Sequence, residues 1–256
     1  MTVGLNWLPQ TAFAFMLIFA RVGTILMFIP ALGESSIPAR LRLTFALALT
    51  LVLLPLLSPR LPVLPDELGG IGLLMFHEIA IGLILGGITR FVVMAAELAG
   101  TTIAYQIGLS MAQGSDLTSA GSQGVIIANF LSMLGITLVF ATNLHHFALS
   151  AIVQSYQVFS PSDPLMIGDA AQMALRAVSG AFTVGVQMAA PFIVFGLVFN
   201  VGLGILARLM PALQVYFLST PATIGIGLFL FVALLSMMMG WYLTHVRDAL
   251  SFLAGR

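Results

Sequence analysis

The residues of this chain that could support catalysis or metal binding do not stand at the spacings that such chemistry needs. His77 and Glu78 begin like the HExxH motif of zinc proteases, but Ile81 occupies the place of the second histidine. His145 and His146 are adjacent, so on a helix they diverge by about 100°, a poor geometry for chelating one metal ion. The chain has no cysteine and no lysine, which removes thiolate catalysis and a P-loop. We therefore predict no catalytic residue, no metal ligand, no cofactor and no enzymatic activity.

Charged residues inside apolar segments pose a different problem, which is how they are neutralised. These residues are Arg21, Glu78, Arg90, Glu97 and Arg208. A charge at the middle of a bilayer costs about 2.5–3.5 kcal/mol, and none of the five has an opposite charge three or four residues away. We expect their partners on other segments or other chains. The side chains of Arg90 and Arg208 could instead extend to the membrane surface and avoid the need for a partner. This is difficult for Arg21, which has apolar residues on both sides.

The composition places the chain in or against a bilayer. Its hydrophobic fraction is 60%, its charged fraction is 7% and its mean hydropathy is +1.10, whereas soluble domains are about 45–50% apolar and about 25% charged. All nine basic residues are arginine and nine acidic residues balance them. No basic face is therefore expected, which excludes nucleic acid as a partner.

About six apolar helical segments or hairpin arms must position these residues. They run near 7–32, 40–57, 71–112, 125–159, 170–208 and 212–246. A crossing takes about 20 residues, so segments 71–112 and 170–208 are overlong, and we expect breaks, tilts or extension beyond the bilayer. Pro191 and Pro221 lie inside apolar runs and predict kinks.

A stripe of small residues leads into the centre of the chain. It consists of Ala96, Gly100, Ala104, Gly108 and Ala112, one every four positions. In lipid, such a stripe lets two helix backbones approach closely. The stripe predicts tight helix packing, either within the chain or against another subunit.

A polar stripe is predicted on the helix that precedes Pro191. Its members are Gln172, Arg176, Ser179, Thr183 and Gln187. Spacings of four, three, four and four confine them to a sector of about 80°. The stripe must meet water, a lumen or polar groups, so it faces water at the membrane surface or lines a conduit.

The central segment AYQIGLSMAQGSDLTSAGSQGV, residues 104–125, lacks a helical hydrophobic period. Its glycine, serine and threonine content indicates a flexible loop. A loop of this length inside a compact protein is usually functional or disordered. It is either a surface linker or a re-entrant loop that is buried in protein or lines a cavity.

Four motifs, in this order, resemble the FliR family of flagellar export-gate proteins. They are RVGTILMFIPALGESSIPARLRLTFALAL at 21–49, AGTTIAYQIGLSMA at 99–112, NLHHFALSAIVQSY at 143–156 and GILARLMPALQVYFLSTP at 204–221. Together they span nearly the whole chain. The last motif is the most specific of the four.

The resemblance implies a single all-α domain over 1–256, made of long kinked helices and helical hairpins. It implies a subunit of a pseudo-helical export gate, assembled with FliP and FliQ and with FlhB and FlhA of the export apparatus. The location would be the bacterial inner membrane, at the flagellar basal body. Unfolded flagellar proteins would pass through the lumen, so the protein would supply geometry rather than bond chemistry.

In that family the loop after the small-residue helix plugs the pore, which implies a plug at about 106–124. The expected gate residues are Gly108, Met111, Gly114, Ser115, Asp116, Gly121 and Gly124. Two other functions fit the residues themselves. One is a secondary transporter of a small solute, which also uses broken helices and charges at the midplane. The other is a purely structural assembly scaffold.

Overall fold

The computed structural model describes residues 8–29, 33, 37–109, 125–163, 167–210 and 215–253, which form seven α-helices and no strand. The helices are α1 (Leu8–Phe28), α2 (Ala39–Leu57, followed by a 3-10 turn at Ser58–Arg60), α3 (Leu68–Gln106), α4 (Val125–Ala141), α5 (His145–Val158), α6 (Ile167–Leu209) and α7 (Val215–Leu253). Within these residues, five helices are long and apolar enough to cross a membrane, or six if α4 and α5 count as one span. The predicted all-α, membrane-type fold is confirmed.

Of the breaks, tilts or extensions expected for the two overlong segments, breaks are absent from their described residues, and tilt and extension stay predictions. Helices α3 and α6 run uninterrupted for 39 and 43 residues, and α6 and α7 continue through Pro191 and Pro221. A proline removes one helical hydrogen bond, but packing and local adjustment compensate for this in membrane helices. The interruption falls instead in segment 125–159, where α4 ends before Asn143, whose φ is 59°. Asparagine tolerates this left-handed conformation better than most residues.

The helices pack into two compact units that alternate along the sequence. The first unit contains the described residues of 1–92, 142–178 and 247–256, and the second contains those of 93–141 and 179–246. Helices α3, α6 and α7 therefore each contribute to both units. The single domain predicted for 1–256 stays a prediction.

The core of the first unit forms where α1 meets α2, α3 and α5. Helix α1 supplies Ile18, Val22 and Ile25, whose spacings of four and three place them on one face. The other buried members are Leu26 of α1, Ala46, Leu53 and Leu57 of α2, Ile81 and Leu85 of α3, and Ile152 and Tyr156 of α5. The side-chain amide of Gln10 holds the start of α1 to the loop after α2: it donates to the Pro62 carbonyl (3.2 Å) and accepts from the Leu64 amide (2.7 Å).

Two glycines let α1 and α3 approach closely in the first unit. A Cβ placed on Gly82 would lie 2.7 Å from Thr24 Cβ and 2.9 Å from the Arg21 carbonyl oxygen. A Cβ on Gly86 would lie 2.8 Å from Phe28 Cβ and 3.3 Å from the Ile25 backbone. These separations are too short for side chains, so the contact requires glycine.

The small-residue stripe lies in the second unit and is largely buried. Ala96 and Ala104 are fully buried. Gly100 faces the backbone of Ala128 in α4, which a Cβ would overlap. Gly108 is partly buried, and Ala112 lies outside the described residues. The stripe therefore contacts another helix of the same chain at Gly100.

Helix α6 packs against the same part of α3. A Cβ on Gly185 would lie 3.1 Å from the Ala95 carbonyl oxygen and 2.9 Å from Leu98 Cδ2. Aromatic contacts add to the core, since Phe231 of α7 lies 6.0 Å from Phe130 and 6.3 Å from Phe192 between ring centroids. Helix α3 thus packs against α4 and α6, and α7 packs against both of those helices.

The α1–α3 contact predicts that alanine substitution has opposite effects on stability at two adjacent glycines. Gly86→Ala should destabilise the protein by about 1–3 kcal/mol, because the added methyl meets Phe28 and the Ile25 backbone. Gly87→Ala is the matched control, since no atom lies within 4 Å of the added carbon, and alanine favours a helix by about 1 kcal/mol over glycine. Thermal unfolding of the detergent-extracted protein measures both. Equal melting temperatures for the two variants would contradict the packing.

Candidate functional site: a buried ion pair and the start of the central segment

Arg21 of α1 and Glu78 of α3 form a two-pronged ion pair inside the first unit. Arg21 Nε donates to Glu78 Oε2 at 2.6 Å, and Arg21 Nη2 donates to Glu78 Oε1 at 2.8 Å. Both side chains are fully buried. Parallel N–H···O bonds between a guanidinium and a carboxylate are among the strongest hydrogen bonds in proteins. The pair therefore fixes α1 against α3.

Helix α5 completes the surroundings of the guanidinium. Arg21 Nη1 donates to the Ser155 hydroxyl oxygen at 3.3 Å, and Nη2 also donates to the Phe159 carbonyl oxygen at 2.9 Å. The Tyr156 ring centroid lies 3.9 Å from Arg21 Cζ, which is a cation–π contact. A single side chain thus joins three helices.

The chemistry of this cluster is structural. Isolated charges are costly to bury, and a buried ion pair roughly offsets that cost only when its geometry is good and its remaining donors are satisfied. Arg21 meets this condition through Ser155 and Phe159. Arg21 and Glu78 are both inaccessible to solvent, so their charged groups interact with the protein alone.

The other predicted charges occupy different environments. Arg90 is partly buried, whereas Glu97 and Arg208 are exposed. Arg208 lies in the last turn of α6, where a positive charge interacts favourably with the helix dipole. Only Arg21 and Glu78 of the five are thus brought together as a fully buried pair.

Sequence reasoning missed two side chains of the cluster. Ser155 and Tyr156 did not stand out as ionisable or polar groups in an apolar segment. They do end the motif NLHHFALSAIVQSY at 143–156, so their place in that motif was the available signal. The Phe159 carbonyl has no sequence signal, because every residue has one.

The polar stripe on α6 is exposed along its whole length. Gln172, Arg176, Ser179, Thr183 and Gln187 are all exposed. The Thr183 hydroxyl donates to the Ser179 carbonyl oxygen at 2.8 Å, which satisfies it within the helix. The surface around the stripe is apolar, and Phe182 is 60% exposed. This face of α6 is therefore mixed, with polar groups available to water or to another protein.

Helix α3 includes residues 104–106 of the central segment, which were predicted as loop, because Ile103, Ala104 and Ile107 are buried against other helices; the helix then ends in the second unit. The Ile107 amide donates to the Ile103 carbonyl oxygen at 3.0 Å, and the Gly108 amide donates to that of Tyr105 at 3.1 Å. Gly108 then adopts a φ of 75°, which ends the helix as glycine commonly does. The other predicted gate residues, Met111, Gly114, Ser115, Asp116, Gly121 and Gly124, lie outside the described residues.

Comparison with known proteins gives consistent matches over almost the whole chain. The profile of bacterial export proteins, family 1, matches residues 12–249. The flagellar biosynthetic protein FliR of Caulobacter vibrioides is 44% identical over 220 residues, which cover 86% of this chain and 87% of that protein. FliR of Bacillus subtilis is 29% identical over 226 residues (87% and 86%), and FliR of Escherichia coli is 29% identical over 231 residues (90% and 86%).

The buried pair predicts non-additive mutations. Arg21→Met or Glu78→Leu alone should destabilise the protein by about 3–5 kcal/mol, because each leaves one buried charge without its partner. The double variant removes both charges and should be more stable than either single variant. Melting temperature and the amount of folded protein in the membrane measure the three variants. A double variant whose loss equals the sum of the single losses would contradict the pairing.

Proposed function

Because the chain belongs to family 1 of the bacterial export proteins, we propose that it is a non-enzymatic subunit of the flagellar type III export gate, which helps to form and plug a pore for unfolded flagellar proteins. The observation that carries the proposal is the family match over residues 12–249, which includes nearly all of the seven helices. The FliR relatives place the protein among the components of the flagellar export apparatus. The pore, the plug and the identity of the cargo are the proposed part.

The exposed apolar surface supports a subunit that is covered by lipid and by other proteins. Leu51 and Val52 of α2 are 65% and 71% exposed, and Phe229 and Val232 of α7 are 77% and 73% exposed. Apolar area of this kind is favourable only when it is removed from water. We propose FliP and FliQ as the adjoining subunits, with FlhB and FlhA as further partners, in the inner membrane at the flagellar basal body.

The composition of the central segment supports its role as the plug at about 106–124. A pore that passes many different unfolded chains cannot be closed by a segment that binds them strongly. Glycine and serine present little surface for such binding, and glycine allows backbone changes that other residues resist. Helix α3 ends within the first residues of this segment, with Gly108 in a left-handed conformation.

The exposed stripe on α6 is the proposed wall of the conduit. Its glutamines, serine and threonine can hydrogen-bond to the backbone of any passing chain, so they do not select a sequence. Arg176 is the one charged member. A wall without these polar groups would bind the hydrophobic parts of an unfolded chain more strongly and slow its passage.

Deletion of residues 112–122 should open the pore. We expect increased ion leakage across the inner membrane of cells that contain the assembled complex, because nothing then fills the lumen. Membrane conductance or intracellular ion content measures it, with the amount of co-purified complex as the control for assembly. Unchanged leakage with normal assembly would contradict the plug. In the scaffold alternative, plug variants leave export unchanged, and in the transporter alternative, the purified chain alone carries a labelled solute.

The stripe can be tested with single cysteines, since the native chain has none. Ser179→Cys, Thr183→Cys and Gln187→Cys should react with a charged, water-soluble thiol reagent in the assembled complex, and a bulky label there should reduce export. Val178→Cys is the control, because Val178 is exposed but points about 100° away from Ser179 on the helix. Equal labelling of Val178→Cys and the stripe variants would contradict a water-filled lumen on this face.

A further inference from the structure

The last two residues before Gly108 fit against glycines of two other helices in the second unit. Ile107 is fully buried against Gly227 of α7. A Cβ on Gly227 would lie 2.5 Å from Ile107 Cγ2 and 2.6 Å from Ile107 Cβ. Real Cβ atoms do not approach other carbon atoms this closely. Ile107 can therefore occupy this position only because residue 227 is glycine.

The neighbouring residue makes the equivalent contact with α6. A Cβ on Gly196 would overlap the Gln106 side-chain oxygen and would lie 3.3 Å from the Gln106 carbonyl oxygen. Gly196 and Gly227 are both buried. By contrast, Gly202 of α6 and Gly225 of α7 are exposed, with no atom within 4 Å of an added Cβ. The close contact is specific to the two glycines that face the end of α3.

We infer that Gly227 and Gly196 are positioning residues, which fix the point where the central segment leaves the helical bundle. The inference rests on the proposed plug. Gly108 leaves the helix with a φ of 75° immediately after Ile107, so any displacement of Ile107 moves the point at which the plug leaves the helix. A segment can close a pore reproducibly only if its end is fixed, because an unfixed end spreads over many positions.

The two glycines differ in how strictly they fix this end. Gly227 faces the β-branched Ile107, whose Cβ cannot move without the backbone. Gly196 faces chiefly the amide end of Gln106, which can rotate away. Substitution at 227 should therefore displace the start of the plug, whereas Gly196→Ala should have a weaker effect.

Ion leakage across the inner membrane tests the inference, with the 112–122 deletion as the reference for an open pore. Gly227→Val should raise leakage several-fold above the parent, and Gly225→Val should leave it unchanged. Adding Ile107→Gly to Gly227→Val should bring leakage back toward the parent, because it removes both Cβ and Cγ2 of residue 107, the two atoms that a Cβ at 227 meets. Leakage from neither valine variant, or from both equally, would overturn the inference. If only the deletion leaks, the plug stands and the positioning role fails.

Gly227→Val could instead prevent assembly, so a cysteine pair provides a second measurement. Ile107→Cys with Gly227→Cys should form a disulfide in the assembled complex after mild oxidation, because the two Cβ positions need to separate by only about 1 Å to reach disulfide geometry. Ile107→Cys with Gly225→Cys is the control pair and should not cross-link. Absence of the 107–227 disulfide, or equal yields from both pairs, would show that Ile107 is not held at Gly227, whatever the deletion does.

Discussion

The guanidinium of Arg21 cannot lie unpaired in an apolar core, and this constraint sets the arrangement of the first unit. Its partner Glu78 stands on α3, and its remaining donors are satisfied by α5. Glu78, Gly82 and Gly86 follow one another at four-residue spacing and thus lie on one face of α3. Gly82 and Gly86 meet the turns of α1 that follow Arg21. The ion pair and the close backbone contacts therefore lie along one continuous interface between α1 and α3. The charged pair fixes how the two helices are aligned along their lengths.

In the second unit the helices are aligned with one another without a buried ion pair among its described residues. Contacts there are made where a glycine of one helix meets the backbone or a branched side chain of another, as at Gly100, Gly185 and Gly227. In lipid, apolar side chains gain little by leaving one apolar environment for another, so close van der Waals contact is the main attraction between helices. Such contacts depend steeply on distance, so they specify position even though each is weak.

Sequence predicted the class and approximate extent of the helices, because membrane-length apolar runs have few alternative structures. It left open whether α3 and α6 are broken, tilted or extended, since helix propensity disfavours their glycines and Pro191 while tertiary packing decides that both helices are continuous. For Arg21, the absence of a local partner indicated a distant one but could not identify Glu78. The Phe159 carbonyl was beyond prediction, because a backbone acceptor carries no side-chain pattern.

A protein that closes a passage without selecting what passes must separate two tasks, which are holding the closing segment and touching the cargo. The chain assigns them to different residues if the central segment acts as proposed. The holding contact, Ile107 against Gly227, is buried and apolar within the subunit, so no cargo competes for it. Beyond Gly108 the sequence turns to glycine, serine and threonine, which form few strong contacts with any chain. On that proposal, the strong contacts lie at the fixed end, where they would define one closed position, and the residues that would touch the cargo bind it weakly.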